Sequence, residues 1–230
     1  IYGEIGRLTY AGYDIHDLAA HTTFEEVAYL LWQHHLPNAA QLADLQQKLV
    51  AQRAVPGEVY DLLSRLPTNA LPMDMLRTAV SFLGVRAAQS PPDLEQAISL
   101  TAKIPTILAA FDRIRKGQQA LEPRADLSHT GNYIYMLTGQ DPSAVAAKCL
   151  GTYFVMLADH SLNASTFVAR IVTSTGSDLY SAVGAGISAL KGPAHGGAPA
   201  LVLEMLTQIG KAENAEPWMR QALANRQRLM

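Results

Sequence analysis

The chain has 230 residues, 49% hydrophobic and 17% charged, enough apolar material to bury a core in one large domain or in one domain plus part of another. A formal net charge of −2 excludes broad binding to nucleic acid or to anionic membrane surfaces, and no uninterrupted apolar span is long enough for a membrane helix. The single cysteine, Cys149, excludes a disulfide framework within the chain and, set in an apolar helical run, reads as a buried, inert thiol. A soluble, cytoplasmic protein is expected. The chain starts at Ile1 rather than methionine and stops at Met230 in a basic, helix-forming stretch without a capping residue, the pattern expected of a fragment.

From Gly3 to Tyr13 the glycines at 3, 6 and 12 are too closely spaced for a helix, so a small hairpin or extended turn is expected. Thr22 with Glu25 makes a capping-box pattern before a helix whose apolar face is Phe24, Val27, Ala28, Leu30 and Leu31. Asn38 with Gln41 can cap the next helix, striped by Leu42, Leu45 and Leu49. Pro56 opens a short helix through Leu63, and Pro72 opens another with Leu76, Val80 and Leu83 on one face. A long helix is expected from about Asp93 to Lys116, kinked at Pro105 and stopped at Gly117, followed by a mobile loop to Ala125. A helix from about Ser128 ends at Gly139, and Asp141-Pro142 caps the next, which runs through Asp159. That helix carries Val145, Leu150, Tyr153, Phe154, Val155 and Leu157 and is apolar on most sides, the pattern of a helix covered by neighbours, either in the core or across a dimer interface. Further helices are expected at about 165–174, 177–190, 199–209 and 217–229. With only the N-terminal turn non-helical, the fold class is all-α, with some ten or more helices and more than one layer.

Two of the seven histidines stand apart. His16, His21, His34 and His35 lie in polar surroundings at helix ends, and His129 precedes a helix, where solvated or capping roles suffice. His160 lies in Asp159-His160-Ser161-Leu162-Asn163-Ala164-Ser165-Thr166, directly after the apolar helix. His195 lies in Gly192-Pro193-Ala194-His195-Gly196-Gly197-Ala198, where glycines and a proline hold a special backbone path and clear space beside the ring. The start of the following helix favours a neutral imidazole, which can donate to a developing oxyanion. No metal-ligand spacing, nucleotide loop or nucleophile elbow accompanies them, and Ser165 is expected to support or cap rather than attack.

Six strings bear on the family. They are Arg7-Leu8-Thr9-Tyr10-Ala11-Gly12-Tyr13-Asp14-Ile15, Thr23-Phe24-Glu25-Glu26-Val27-Ala28-Tyr29-Leu30-Leu31-Trp32, Pro72-Met73-Asp74, Lys103-Ile104-Pro105-Thr106, His160-x-x-Asn163-Ala164-Ser165-Thr166 and Gly192-Pro193-Ala194-His195-Gly196-Gly197. In that order they resemble the citrate synthase family over almost the whole chain. The resemblance implies a multi-helical large domain over residues 1–191, the beginning of a smaller helical domain over residues 192–230, and a hinge at Lys191-Gly192-Pro193. It implies an acyltransferase that condenses acetyl-CoA with oxaloacetate and hydrolyses the citryl thioester to citrate and CoA. No metal or redox cofactor is implied, and a homodimer is.

By the same resemblance His195 is the catalytic hydrogen-bond donor to the thioester enolate, His160 holds oxaloacetate, and Asn163 and Ser165 support them, Ser165 by orienting His195. The family's second catalytic histidine, its aspartate base and its carboxylate-clamping arginines would lie beyond Met230, so the 230-residue chain alone is expected to be inactive. After Gly196-Gly197-Ala198 this chain has Pro199-Ala200 where many members have Asn-Glu, which leaves the subfamily open. The alternatives are a 2-methylcitrate synthase using propionyl-CoA, a citryl-CoA-cleaving relative, or a short non-catalytic paralogue acting as a dimer partner.

Overall fold

A computed structural model of the chain describes residues 3–87, 91–196 and 198–227. After a single 3-10 turn at Gly3–Ile5, a two-stranded antiparallel hairpin forms from β1 (Thr9–Tyr10) and β2 (Tyr13–Asp14), with Tyr10 opposite Tyr13. Helices follow: α1 (Ile15–His21), α2 (Phe24–Gln33), α3 (Ala39–Ala51), α4 (Gly57–Arg65), α5 (Pro72–Arg86) and α6 (Leu94–Arg115). Then come α7 (His129–Thr138), α8 (Ala144–Leu157), α9 (Ala164–Ser174), α10 (Leu179–Leu190), α11 (Ala198–Ile209) and α12 (Ala215–Ala224). The all-α expectation holds, and the expected N-terminal hairpin is present. The long helix passes Pro105 as one element and stops before Gly117, whose φ of +72° only glycine adopts without strain.

Of the stripes read from the sequence, Val27, Ala28, Leu30, Leu45, Leu49, Leu76, Val80 and Leu83 are buried, and Phe24, Leu31 and Leu42 are half-buried. Val59 and Leu63 of α4, Met75, Ala79, Val80 and Leu83 of α5, Leu100, Ile107 and Phe111 of α6 and Ile187 of α10 form the main core. Each large side chain fully buried there contributes about 1.5–3 kcal/mol. A second cluster joins Tyr10, Leu18, Val27 and Leu30 to Val155, tying the N-terminal hairpin, α1 and α2 to the far end of α8. Leu45 and Leu49 of α3 meet Ile98 and Ala102 of α6 in a third.

Several local expectations are corrected. The segment 15–21 is helical, with Asp14 as its N-cap. The capping box before α2 is Thr23 with Glu26, one residue later than expected. Glu25 is buried instead and accepts the backbone N–H of His129 at 3.0 Å, which satisfies an orphan donor at the start of α7. Ser143, not Asp141, caps α8. The loop from Gly117 to Ala125 is held at both ends: Arg113 Nε donates to Gln119 O, Arg53 Nη1 to Arg124 O, and Arg124 N to Asn132 Oδ1. The last helix closes at Ala224, and residues 228 and 229 of the expected span lie outside the described residues.

The apolar helix is also not enclosed by this chain. In α8 only Val155 is buried, while Val145 is 73% exposed, Tyr153, Met156 and Leu157 are exposed, and so is Cys149. The buried-thiol expectation is therefore wrong for the chain by itself. His129 is the reverse case: it is 3% exposed and stacks on Phe24 at 4.9 Å. Burial, aided by the charge of Arg53, pushes its imidazole down to about 4. The unfolded chain then binds more protons at this residue than the folded one between about pH 4 and 6.5. Its contribution, on the order of 3 kcal/mol, is fully present above pH 6.5 and lost as pH falls towards 4. His129→Phe keeps the stacking and should flatten the fall in Tm over that window, as thermal denaturation across pH would reveal.

Candidate active site

The two histidine segments hang from neighbouring helices. Helix α10 packs against both α9 and α5, and Gly186 makes the α9 contact close: a Cβ there would lie 3.5 Å from Ser165 O and 3.7 Å from Ala169 Cβ. This brings the first turn of α9 beside the end of α10, from which the His195 turn departs.

The segment before α9 is fixed by its own polar groups. Asn163 is the N-cap: its Oδ1 accepts Thr166 N–H at 2.9 Å and the Ser165 hydroxyl at 2.8 Å. Upstream, Asp159 Oδ2 accepts Ser161 N–H at 3.1 Å, and Ser161 takes a left-handed φ of 57°. His160 stands between these anchors and is exposed.

The His195 turn folds back over the end of α10. Gly192 N–H bonds Ala189 O and His195 N–H bonds Gly192 O at 2.9 Å. Gly196 then passes so close to α10 that a Cβ would lie 2.0 Å from Leu190 O. The glycine frame thus serves this backbone contact rather than space beside the ring; Gly197 lies outside the described residues. At the root of the turn, Lys191 Nζ bonds both carboxylate oxygens of Asp74 on α5, at 2.7 and 2.8 Å, an ion pair that holds the Asp74 carboxyl below its usual range.

The imidazole of His195 reaches Ser165. Ser165 N–H donates to Nε2 at 3.3 Å, and Ser165 Oγ lies 2.9 Å from the same nitrogen. In the tautomer whose Nε2 accepts the Ser165 N–H, the ring proton sits on Nδ1. Among the described residues Nδ1 makes no hydrogen bond, so this side of the ring is the one able to donate to a ligand. The structure therefore brings His195, Ser165 and Asn163 into one hydrogen-bonded chain. His160 makes no hydrogen bond with them.

The sequence reading passed over Tyr10 and Asp74 as site residues. Tyr10 lies at the exit of α8 and Asp74 at the root of the His195 turn, and both belonged to strings already singled out. Two clefts of about 290 and 330 Å³ open on either side of Glu25 and Ser128, and neither is lined by His160 or His195. Among the described residues no cluster of His, Cys, Asp or Glu could hold a metal ion, and no helix is long and apolar enough to cross a membrane.

Comparison with known proteins gives a consistent answer. The family model described as citrate synthase, C-terminal domain, matches residues 1–230. Citrate synthase 2 of Bacillus subtilis is 45% identical over 97% of this chain, and the alignment covers 62% of that protein. The 2-methylcitrate synthase of Mycobacterium tuberculosis is 41% identical over 99% of the chain and 58% of its own length. The crystal structure of citrate synthase from Thermotoga maritima superposes with a TM-score of 0.84 at 37% identity, over 98% of this chain and 61% of that one. The chain thus spans about three fifths of the length of these relatives and belongs to the citrate synthase family.

Proposed function

We propose that this chain is the greater part of a citrate synthase, an acyltransferase that joins acetyl-CoA to oxaloacetate and hydrolyses the product thioester to citrate and CoA. The observation that carries this reading is the Ser165–His195 pair, because it engages Nε2 and leaves Nδ1 without a partner among the described residues, on the side of the ring that can donate to a ligand in the tautomer with its proton there. The methyl group of a thioester is a weak acid, and its enolate forms only if negative charge on the thioester oxygen is stabilised while a base removes the proton. His195 takes the donor role. His160 holds oxaloacetate so that its ketone carbon faces the enolate carbon, and Asn163 holds Ser165, which holds His195. The base comes from residues beyond this chain, as the resemblance implies. Every step is proton transfer, carbonyl addition or hydrolysis, so no metal or redox cofactor is assigned; acetyl-CoA is a substrate.

The test is citrate formation by the protein expressed from its complete gene, supplied with acetyl-CoA and oxaloacetate. Absence of turnover at any substrate concentration would make it the non-catalytic paralogue. A second reading, 2-methylcitrate synthase, is favoured by the 41% identical mycobacterial relative, and a higher kcat/KM with propionyl-CoA than with acetyl-CoA would establish it. In the same assay, His160→Ala should raise KM for oxaloacetate by about 10- to 100-fold, the worth of one hydrogen bond to a charged ligand, and change kcat much less.

The large domain is assigned to residues 1–191 and the start of the small domain to 192–230, with the hinge at Lys191-Gly192-Pro193. The exposed apolar residues Tyr153, Met156 and Leu157 of α8 are assigned to an interface with a second copy, which supports a homodimer. Crystal structures of the whole protein with and without oxaloacetate test both: an unchanged interdomain angle overturns the hinge, and a monomer overturns the interface. A cytoplasmic location suits a chain with one cysteine, which is free; fractionation of the source cells tests it, and recovery outside the cytoplasm would refute it.

A further inference from the structure

We propose that Tyr10 is a positioning residue for His160, acting from the N-terminal hairpin through the end of helix α8. The phenol is 1% exposed and packed among Leu18, Val27, Leu30 and Val155. Its one hydroxyl proton is shared between Val155 O at 3.0 Å and Met156 O at 3.1 Å, and its oxygen accepts Asp159 N–H at 3.3 Å. Those two carbonyls are among the last of α8, where the helix itself leaves acceptors short of donors; Val155 O otherwise takes only the long Ala158 cap N–H, at 3.4 Å. One hydroxyl from 145 residues away therefore closes the helix and receives the first N–H of the segment that carries His160.

The segment has little freedom once Asp159 is placed. Asp159 Oδ2 accepts Ser161 N–H, Asn163 N–H bonds Ser161 O at 2.9 Å, and Asn163 caps α9. His160 is the residue between the atom that Tyr10 fixes and the turn that Asp159 closes. The left-handed φ of Ser161 costs about 1–2 kcal/mol, so this turn persists only while its ends are held. Burial raises the phenol above its ordinary range, so it remains a donor across neutral pH. A shift of the α8 exit would move the His160 ring while leaving Ser165 and His195, which are anchored on α9 and α10, in place.

The inference rests on the reading of His160 as the oxaloacetate ligand, and two measurements separate the two claims. Tyr10→Phe keeps the ring and its apolar contacts. In the enzyme expressed from its complete gene it should raise KM for oxaloacetate about tenfold, with kcat and KM for acetyl-CoA within about twofold. In the double variant with His160→Ala, KM for oxaloacetate should equal that of His160→Ala alone, because Tyr10 acts only through that ring. Independently of any activity, hydrogen exchange should quicken at the amides of residues 160–163 while those of α5 and α6 keep their protection. Effects on KM that multiply in the double variant, unchanged exchange at 160–163, or protection lost throughout the fold would each overturn the proposal. If the wild-type protein makes no citrate while Tyr10→Phe loosens 160–163 alone, the assigned reaction fails and the positioning stands.

Discussion

On the proposed reading, replacing His195 by alanine in the protein expressed from its complete gene should lower kcat about 10²- to 10³-fold, the cost of removing one donor from a developing oxyanion. The fold survives the change. The imidazole is half-buried, and its contacts with Ser165 are one acceptor bond and one hydroxyl contact, together worth about 1 kcal/mol. Ser165 N–H, freed by the substitution, sits in the first turn of α9, where water can take it. The loss should therefore fall on turnover, with Tm lowered by no more than a few degrees and KM for oxaloacetate little changed, since that substrate is assigned to His160. A steady-state assay beside a thermal melt separates the outcomes. If Tm collapsed together with activity, His195 would be a turn residue and its donor role would fall. If kcat held within threefold, another group would stabilise the enolate.

The sequence carried the candidate site further than it carried the surroundings of the site. Ser165 and His195 were readable from local pattern, a supporting or capping serine at a helix start and a histidine in a turn that needs glycine; Asn163, which caps α9 by accepting Thr166 N–H, entered only through the family resemblance. Their pairing across α9 and α10 was readable only through the family resemblance, since nothing in the spacing of Ser165 and His195 brings them within 2.9 Å. The capping box shows why local pattern can fail. Thr22 with Glu25 and Thr23 with Glu26 satisfy the same rule, and the tie is broken by His129, whose N–H claims the Glu25 carboxylate from 104 residues away. His129 was passed over for the same reason, because the ring it stacks on, Phe24, and the charge that acts on it, Arg53, are both distant in sequence.

Helix α8 marks another kind of limit. Its all-round apolar pattern raises the expectation of a helix covered by neighbours, because such a surface is unfavourable in water. The pattern does not say whether the cover comes from the same chain. Val155 is buried against the N-terminal cluster and Leu150 and Phe154 are half-buried, the latter against Phe24, while Val145, Tyr153, Met156 and Leu157 stay exposed. The link from Tyr10 to the α8 exit was equally invisible, since it is a single hydroxyl meeting two carbonyls across the whole length of the domain.

Gly196→Ala should be as damaging to activity as the loss of His195, for a steric reason. The added Cβ would lie 2.0 Å from Leu190 O and 2.9 Å from both Cγ and Cδ1 of Leu190. The leucine side chain can turn aside; the carbonyl cannot, because it belongs to the last turn of α10. That turn is held at its root by the Lys191–Asp74 ion pair, and α10 as a whole is seated on α5 by close packing at its other end, where a Cβ on Gly84 would meet Tyr180 Cβ at 2.8 Å. The strain must therefore be relieved on the other side, by moving residues 192–196 away from the helix by an ångström or more. His195 moves with them and leaves Ser165, and a misplacement of about 1 Å costs on the order of 10²-fold in rate. Gly57→Ala is the matched control, since it adds the same methyl where nothing lies within 4 Å, and it should leave kcat unchanged. A crystal structure of Gly196→Ala with His195 still bonded to Ser165, or a kcat equal to that of the control, would show that the turn absorbs the methyl and that the glycine does not hold the catalytic geometry. The expected result, a hundredfold slower enzyme with its other helices in place, would make the backbone contact at Leu190 as much a part of the site as the imidazole it carries.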